Sequence, residues 1–261
     1  MRRCNHRFLW MVGMKMMLIS KIMVKKILVT GFAHCGTTIL RAKIGECKNT
    51  FSSINESIDP CDFDANMPYD FFVWKNPFLD TELRNNGFSY KPKSKYSDTI
   101  IIAIIRNPWN VFSSLYERSI KNKEFPIYDS GHPGSLPWYE NACDVIYDAI
   151  ENKYEDVYTI KYEEMFDNNF EKLRNIFDSI GLEYDADIFS KRTTEYKHNG
   201  AEYVLDYDKE GNYDDIYRTW QINQPFKNMN GDINLPDDFS QMIANSLIIQ
   251  KLGYFDPRIT H

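Results

Sequence analysis

The stretch from Lys26 to Thr38, KILVTGFAHCGTT, decides the fold. Its first part, residues 26–31, is a continuous apolar run that ends in glycine, which is typical of a buried strand in a parallel sheet. Its second part, from Gly31 to Thr38, has the spacing G-x-x-x-x-G-x-T of a phosphate-binding loop. A helix is predicted to follow over residues 38–46. The stretch therefore predicts a strand, loop and helix with an anion site at the carboxyl end of the strand.

Further strands and helices alternate along the chain. The strand candidates lie at 71–74, 99–105 and 157–160, and the helix candidates at 108–120, 138–150, 169–180 and 238–251. Alternating strands and helices predict a parallel sheet covered on both faces. The polar stretch 191–236 predicts a long loop with one helix near 213–220. We expect a single α/β domain over residues 24–261, with a central parallel β-sheet flanked by helices.

The first 23 residues differ from the rest of the chain. Residues 1–26 contain seven basic residues and no acidic one, and an apolar run at 8–19 follows the first arginines. Lys15 interrupts that run, and twelve residues are too few to span about 30 Å of hydrocarbon as a helix. We predict for 1–23 a disordered leader, a translation start at Met23 or a weak targeting segment. A cytoplasmic protein is expected, with a membrane anchor through residues 8–19 as the alternative.

Charge and cysteine content argue against several classes of function. The net charge is −6, and beyond residue 26 the chain carries 24 basic and 37 acidic residues, a net −13. An acidic body repels a nucleic-acid backbone, so we expect no nucleic-acid partner. The five cysteines include no C-x-x-C pair and no Cys/His ligand spacing, which argues against a disulfide framework and a zinc site.

The phosphate loop lacks the lysine of enzymes that hydrolyse nucleoside triphosphates. Thr37 stands at that position and is followed by Thr38. In those enzymes the lysine reaches the β- and γ-phosphates. The backbone amides around Gly36 and the helix N-terminus would still bind a tetrahedral dianion. The sequence thus favours a nucleotide with a 5′-phosphate and no γ-phosphate over ATP or GTP.

A second candidate anion site follows the strand predicted at 99–105. Arg106 stands at its carboxyl end, where α/β folds bind ligands, and Ser114 follows eight residues later in the next predicted helix. An arginine forks onto phosphate oxygens, and a hydroxyl completes the contact. The alternative is that Arg106 pairs with a carboxylate and Ser114 lies on the helix surface.

The segments GFAHCGTTIL and IIRNPWNVFSSLY resemble the two signature elements of sulfotransferases that use 3′-phosphoadenylyl sulfate (PAPS). A later segment, YTIKYEEMFDNNFEKLRNIFDSIGLEYD, is similar to the strand, Tyr-Glu pair and helix of that family. The resemblance implies a fold like that of P-loop-containing nucleoside triphosphate hydrolases, PAPS as the donor substrate, and no metal. It also implies the donor-binding residues, which are His34, Cys35, Gly36, Thr37 and Thr38 for the 5′-phosphosulfate and Arg106 and Ser114 for the 3′-phosphate.

The resemblance further implies three catalytic residues. Relatives usually carry Lys or Arg two positions before Gly36, where this chain has His34, and an imidazole is fully charged only below about pH 6.5. His34 would then be a weaker substitute, or Lys75 would carry the charge instead. Glu56 is the predicted base that takes the acceptor proton, as in the carbohydrate-type relatives, with Asp59 as its competitor.

We therefore predict a sulfotransferase that moves a sulfuryl group in line from PAPS to a hydroxyl acceptor, either a small molecule or a carbohydrate. Two alternatives stay open, a P-loop kinase of nucleotide or small-molecule type and a catalytically weak nucleotide-binding interaction module. The late segments 196–200 and 218–231 are further candidates for contacts with the donor. Within them, Phe226 and Lys227 are either exposed for binding or pack the loop against the body of the domain.

Overall fold

The computed structural model describes residues 24–53, 68–79, 84, 96, 98–122, 126–190, 195–198, 201–204 and 226–258. Five strands in these residues form one parallel sheet: β1 (Lys25–Gly31), β2 (Thr50–Ser52), β3 (Phe71–Asn76), β4 (Thr99–Ile105) and β5 (Val157–Lys161). Their order across the sheet is β2-β3-β1-β4-β5. An antiparallel pair, β6 (Glu195–His198) and β7 (Ala201–Val204), forms a second, two-stranded sheet.

Helices connect the strands and cover the sheet. They are α1 (Thr37–Gly45), α2 (Pro108–Asn122), α3 (Leu136–Asn152), α4 (Glu171–Ile180), α5 (Asp237–Ala244) and α6 (Leu247–Lys251). The prediction of an α/β domain with a central parallel sheet flanked by helices is confirmed.

The strands β1 and β4 are neighbours in the interior of the sheet. Their middle residues are apolar on both faces. Within these strands, Ile27, Leu28, Val29, Ile101, Ile102, Ala103 and Ile104 are all fully buried. Branched aliphatic side chains favour strands, and each fully buried Val, Leu or Ile contributes about 1.5–3 kcal/mol. The continuous apolar runs in the sequence therefore correspond to strands that are covered on both faces.

The strand order creates a crevice between the carboxyl ends of β1 and β4. After β1 the chain passes through α1 to β2 on one side, whereas after β4 it passes through α2 and α3 to β5 on the other. Ligands of α/β proteins bind where neighbouring connections diverge in this way. The loop 31–36 and the turn at 106–107 both leave the sheet at this crevice.

Three predicted elements differ from the structure. The helix predicted over 238–251 is two helices, because Ser246 has an extended backbone (φ −75°, ψ 114°) that ends one and begins the next. The helix predicted from residue 169 begins at Glu171, since Asn169 and Phe170 have left-handed φ values of 57° and 63°. The stretch predicted as loop over 191–236 contains β6 and β7.

Two further predictions fall outside the described residues, namely the leader 1–23 and the helix near 213–220. Among the helices that the structure does describe, none combines the length and the apolar character needed to cross a bilayer.

Gly31 allows the close approach of β1 to β4. An ideal Cβ at this residue would lie 2.0 Å from the carbonyl oxygen of Ile104, and its φ is +139°. We expect Gly31→Ala to lower the free energy of unfolding by about 2–5 kcal/mol, since strained φ and overpacking each cost on the order of 1–3 kcal/mol.

Gly231→Ala is the matched control for this prediction, because among the described residues no atom outside its chain neighbours lies within 4 Å of its ideal Cβ. Denaturant unfolding should show Gly231→Ala within about 1 kcal/mol of the unsubstituted protein. Equal stability of the two variants would contradict a close approach at Gly31.

Candidate anion-binding site

The loop between β1 and α1 curls through three residues with positive φ, which are Gly31 (139°), His34 (64°) and Gly36 (97°). The amide of Cys35 donates to the Phe32 carbonyl oxygen at 3.2 Å, which closes a turn inside the loop. At the start of α1 the N-cap is Gly36, and no side chain of the described residues caps this end. Since the first amides of a helix lack partners within it, the N-terminus of α1 is open to an anion.

Tyr162, directly after β5, closes the loop from one side. An ideal Cβ on Gly36 would lie 2.6 Å from Cδ2 of this ring, so a residue larger than glycine would displace it. The ring also lies under the guanidinium of Arg106, whose Cζ is 4.3 Å from the ring centroid. The Tyr162 hydroxyl accepts a hydrogen bond from the amide of Met229 at 3.1 Å. Tyr162 therefore joins the loop, Arg106 and the late segment 226–231.

Arg106 donates hydrogen bonds to three neutral acceptors. They are Asn230 Oδ1 at 2.9 Å, the Met229 carbonyl oxygen at 3.0 Å and the His34 carbonyl oxygen at 3.2 Å. The sequence-based alternative, a carboxylate partner, is not found for Arg106 among the described ion pairs. Neutral acceptors fix the orientation of the guanidinium without cancelling its charge, so the crevice stays positive.

Glu163 positions the acceptors of Arg106 from one step away. Its Oε1 accepts from the amide of Asn107 at 2.9 Å and from Asn230 Nδ2 at 3.2 Å. Its Oε2 accepts from the hydroxyl of Tyr254 at 3.1 Å. Because Nδ2 of Asn230 is held by Glu163, the Oδ1 of the same amide is turned toward Arg106.

His34 contacts Arg106 and two residues of α2. Besides its carbonyl contact with Arg106, its Nδ1 lies 2.7 Å from Ser114 Oγ and its Nε2 lies 3.3 Å from Nη1 of Arg118. An arginine can only donate, so Nε2 accepts and the proton of the neutral ring is on Nδ1, which donates to Ser114. Ser114 and Arg118 are four residues apart in α2 and therefore lie on one face of the helix.

Burial, together with three cations, lowers the pKa of His34 from 6.5 to about 3. The cations, in decreasing order of effect, are Arg118, Arg106 and Lys75. The imidazole is therefore neutral at pH 7. The positive charge around the loop comes from the two guanidiniums and the Lys75 ammonium.

The remaining predicted residues are distributed as follows. Lys75 is in β3, only 7% exposed, and its backbone is aligned with Val29 of β1. Cys35 and Thr37 are buried and Thr38 is half-buried. Glu56 and Asp59 lie outside the described residues. Within the described part of the chain, no group of three or more His, Cys, Asp or Glu side chains is arranged to hold a metal ion.

The late segment packs one residue and exposes the next. Phe226 is 6% exposed and its ring stacks on Phe170 and Phe189, whereas Lys227 is exposed. Of the two options for Phe226, packing against the body is the one the structure shows. For the segments 196–200 and 218–221, the side chains lie outside the described residues.

The sequence prediction missed three parts of this site. Arg118 could have been found from its position four residues after Ser114 in a predicted helix. Tyr162 lies in the segment YTIKYEEMF, but no contact with the loop or with Arg106 was predicted for its ring. Met229 and Asn230 had no local signal, since they reach Arg106 across more than 120 residues of chain.

No protein-family model and no curated protein matches the chain. Among solved structures, the sulfotransferase domain from the curacin biosynthetic pathway is 13% identical, with 90% of this chain and 99% of that chain covered and a TM-score of 0.46. The sulfotransferase domain from the Synechococcus PCC 7002 olefin synthase is 13% identical, with 64% and 77% covered and a TM-score of 0.46.

A third similar structure is retinol dehydratase in complex with androsterone and the inactive cofactor PAP. It is 12% identical, with 91% of this chain and 85% of that chain covered and a TM-score of 0.49. Two of the three structures are described as sulfotransferase domains. At 12–13% identity this is a likeness of fold.

Proposed function

We propose that the chain is a sulfotransferase that transfers a sulfuryl group from PAPS to a hydroxyl acceptor. The observation that carries the proposal is the contact between the two candidate anion-binding elements. Arg106 Nη1 donates to the carbonyl oxygen of His34, inside the glycine loop, at 3.2 Å. An uncapped helix N-terminus and a fixed guanidinium therefore lie side by side. PAPS has an anionic group at both its 5′ and its 3′ position, which matches two adjacent anion-binding elements.

The donor would lie across the crevice between β1 and β4. The backbone amides from Gly36 to Thr38, with the hydroxyls of Thr37 and Thr38, bind the 5′-phosphosulfate, because tetrahedral anions are stabilised at helix N-termini. Arg106 and Ser114 bind the 3′-phosphate, since charge-assisted hydrogen bonds from a guanidinium and a hydroxyl suit a phosphate.

The chemical step is an in-line displacement at sulfur. The acceptor oxygen forms a bond to sulfur while the bond from sulfur to the 5′-phosphate oxygen breaks, and adenosine 3′,5′-bisphosphate leaves. Glu56 accepts the acceptor proton. Negative charge develops on the leaving phosphate oxygen, where the loop amides and the buried cation Lys75 stabilise it. The acceptor class is a small molecule or a carbohydrate, since the acidic body of the chain repels a densely sulfated polymer.

Binding of adenosine 3′,5′-bisphosphate should need no metal. Thermal or chemical unfolding in EDTA should show stabilisation by about 2.7 kcal/mol when the ligand is present at a hundred times its Kd. Stabilisation that appears only with ATP and Mg²⁺ would instead indicate the P-loop kinase. Binding without any turnover of labelled PAPS over a panel of hydroxyl acceptors would indicate the interaction module.

Removal of the guanidinium at Arg106 should weaken recognition of the 3′-phosphate. A hydrogen bond to a charged group contributes about 1.5–3 kcal/mol, so Arg106→Gln should lower affinity for the 3′,5′-bisphosphate about 10- to 100-fold. Affinity for adenosine 5′-phosphate should change much less, as measured by titration calorimetry. Equal losses for the two nucleotides would place the 3′-phosphate elsewhere.

The base prediction separates chemistry from binding. Glu56→Gln keeps the size of the side chain but cannot take a proton near neutral pH, so kcat should fall by about 10²–10⁴ while donor affinity stays within a few-fold. Asp59→Asn is the matched control, with the same change of charge three residues away. Near-normal kcat in Glu56→Gln, together with loss of activity in Asp59→Asn, would assign the base to Asp59.

A further inference from the structure

Arg118 lies at the proposed donor site without a role in the reaction described so far. It reaches the site through His34, whose Nε2 accepts from Arg118 Nη1 at 3.3 Å. The other ring nitrogen lies 2.7 Å from Ser114 Oγ. One imidazole thus connects a hydroxyl proposed to bind the 3′-phosphate with a guanidinium one helical turn further along α2.

We propose that His34 is a positioning residue, which orients the Ser114 hydroxyl and holds Arg118 as a second guanidinium of the 3′-phosphate subsite. This inference rests on the proposed function, because it concerns the same donor. In this arrangement His34 does not contact the donor as a charged group. It acts on the donor through its hydrogen bonds to Ser114 and Arg118. The specificity of the chain for a 3′-phosphorylated nucleotide then depends on Ser114, Arg118 and Arg106 together.

The orientation of Ser114 follows from the proton on Nδ1. Because Nε2 of His34 accepts from an arginine, Nδ1 carries the proton and donates it to Ser114 Oγ. A hydroxyl that accepts one hydrogen bond in a fixed direction still has its own hydrogen to donate, and a phosphate oxygen is a strong acceptor for it. Without the imidazole the hydroxyl rotates freely and part of this contribution is lost.

The position of Arg118 follows from the same ring. Arg118 is the cation with the largest effect on His34, ahead of Arg106 and Lys75. Within the described part of the chain, these three are the charged groups that act on the ring, from α2, from the end of β4 and from β3. Two guanidiniums and one hydroxyl, each in contact with His34, form a group of donors that fits a dianion better than a monoanion.

Two near-isosteric variants separate the two contacts of the ring. His34→Gln places an amide near the position of Nε2, so it keeps an acceptor for Arg118 and removes the donor to Ser114. His34→Asn places an amide near Nδ1, so it keeps the donor and removes the acceptor. Asparagine also tolerates the left-handed backbone at this residue (φ 64°). The melting temperature of each variant reports whether it folds, and the asparagine variant together with the substitutions in α2 decides the question if the glutamine variant does not.

The readout is the ratio of two affinities in EDTA, for adenosine 3′,5′-bisphosphate and for adenosine 5′-phosphate. We expect Ser114→Ala and Arg118→Met each to lower this 3′-phosphate preference about 10- to 100-fold. His34→Gln should lose about as much as Ser114→Ala, and the double variant should lose no more than either, because both substitutions remove the same oriented hydroxyl. His34→Asn should match Arg118→Met in the same way.

Lys48→Met is the control for loss of a positive charge. Lys48 is an exposed residue just before the edge strand β2, at the amino ends of the parallel strands and so away from the site, and its Nζ lies 3.6 Å from Asp185 Oδ1. It should keep the preference within about twofold, as surface ion pairs contribute little. A loss in Lys48→Met equal to that in Arg118→Met would show a general effect of net charge and would overturn the proposal.

The pH dependence distinguishes positioning from charge. Since burial and neighbouring cations lower the pKa of His34 to about 3, the ring stays neutral and the ratio of the wild-type to the His34→Asn affinity should be constant from pH 6 to 8.5. The ratio cancels the ionisation of the ligand itself. A ratio that changes around pH 6.5 would show that a charged imidazole binds the donor and would overturn the proposal.

The experiment also separates failure of the inference from failure of the proposed function. Absence of any 3′-phosphate preference in the unsubstituted protein would overturn both. A clear preference that survives in Ser114→Ala and Arg118→Met, or losses that simply add in the double variants, would overturn the inference and leave the sulfotransferase proposal standing.

Discussion

The close approach of two backbones at Gly31 is the constraint on which the rest of the site depends. Gly31 of β1 is aligned with Ile104 of β4, and its missing side chain leaves room for the Ile104 carbonyl oxygen. As a result, the chain segments that follow the two strands leave the sheet as neighbours. The guanidinium of Arg106 is then near enough to the loop before α1 to donate a hydrogen bond to the carbonyl oxygen of His34. A side chain at position 31 would force these strands apart and separate the two candidate anion-binding elements, although none of their own residues had changed.

The way in which Arg106 is held preserves its charge for a ligand. A carboxylate partner would have fixed the guanidinium and cancelled its field, whereas two carbonyl oxygens and an amide oxygen fix it and leave the field in place. The carboxylate of Glu163 is still used, but one bond further away, where it orients Asn230. The ring of Tyr162 stabilises the cation from below by its π-face. The site therefore holds the guanidinium of Arg106 in one orientation without a carboxylate in direct contact among the described residues, which suits the proposed recognition of a phosphate.

The sequence predicted those features that depend on local patterns. The central strands could be found because each is a continuous apolar run, and the loop and Arg106 could be found because both directly follow such runs. The break between α5 and α6 depends on one extended residue, Ser246, inside a pattern that stays amphipathic throughout. The link from Arg106 to the segment at Met229 joins residues that are 123 positions apart and has no local signature. The neutral state of His34 could not be predicted from the sequence either, because its pKa is set by burial and by cations from three different elements.

A neutral imidazole suits an anion site that already contains three cations. Burial, and after it the repulsion by these three cations, disfavours the protonated ring and lowers the pKa of His34 to about 3. A bound dianion would raise this pKa, since opposite charges favour the protonated form. In the proposed arrangement the positive charge belongs to Arg106, Arg118 and Lys75, and the neutral histidine orients its hydrogen-bond partners.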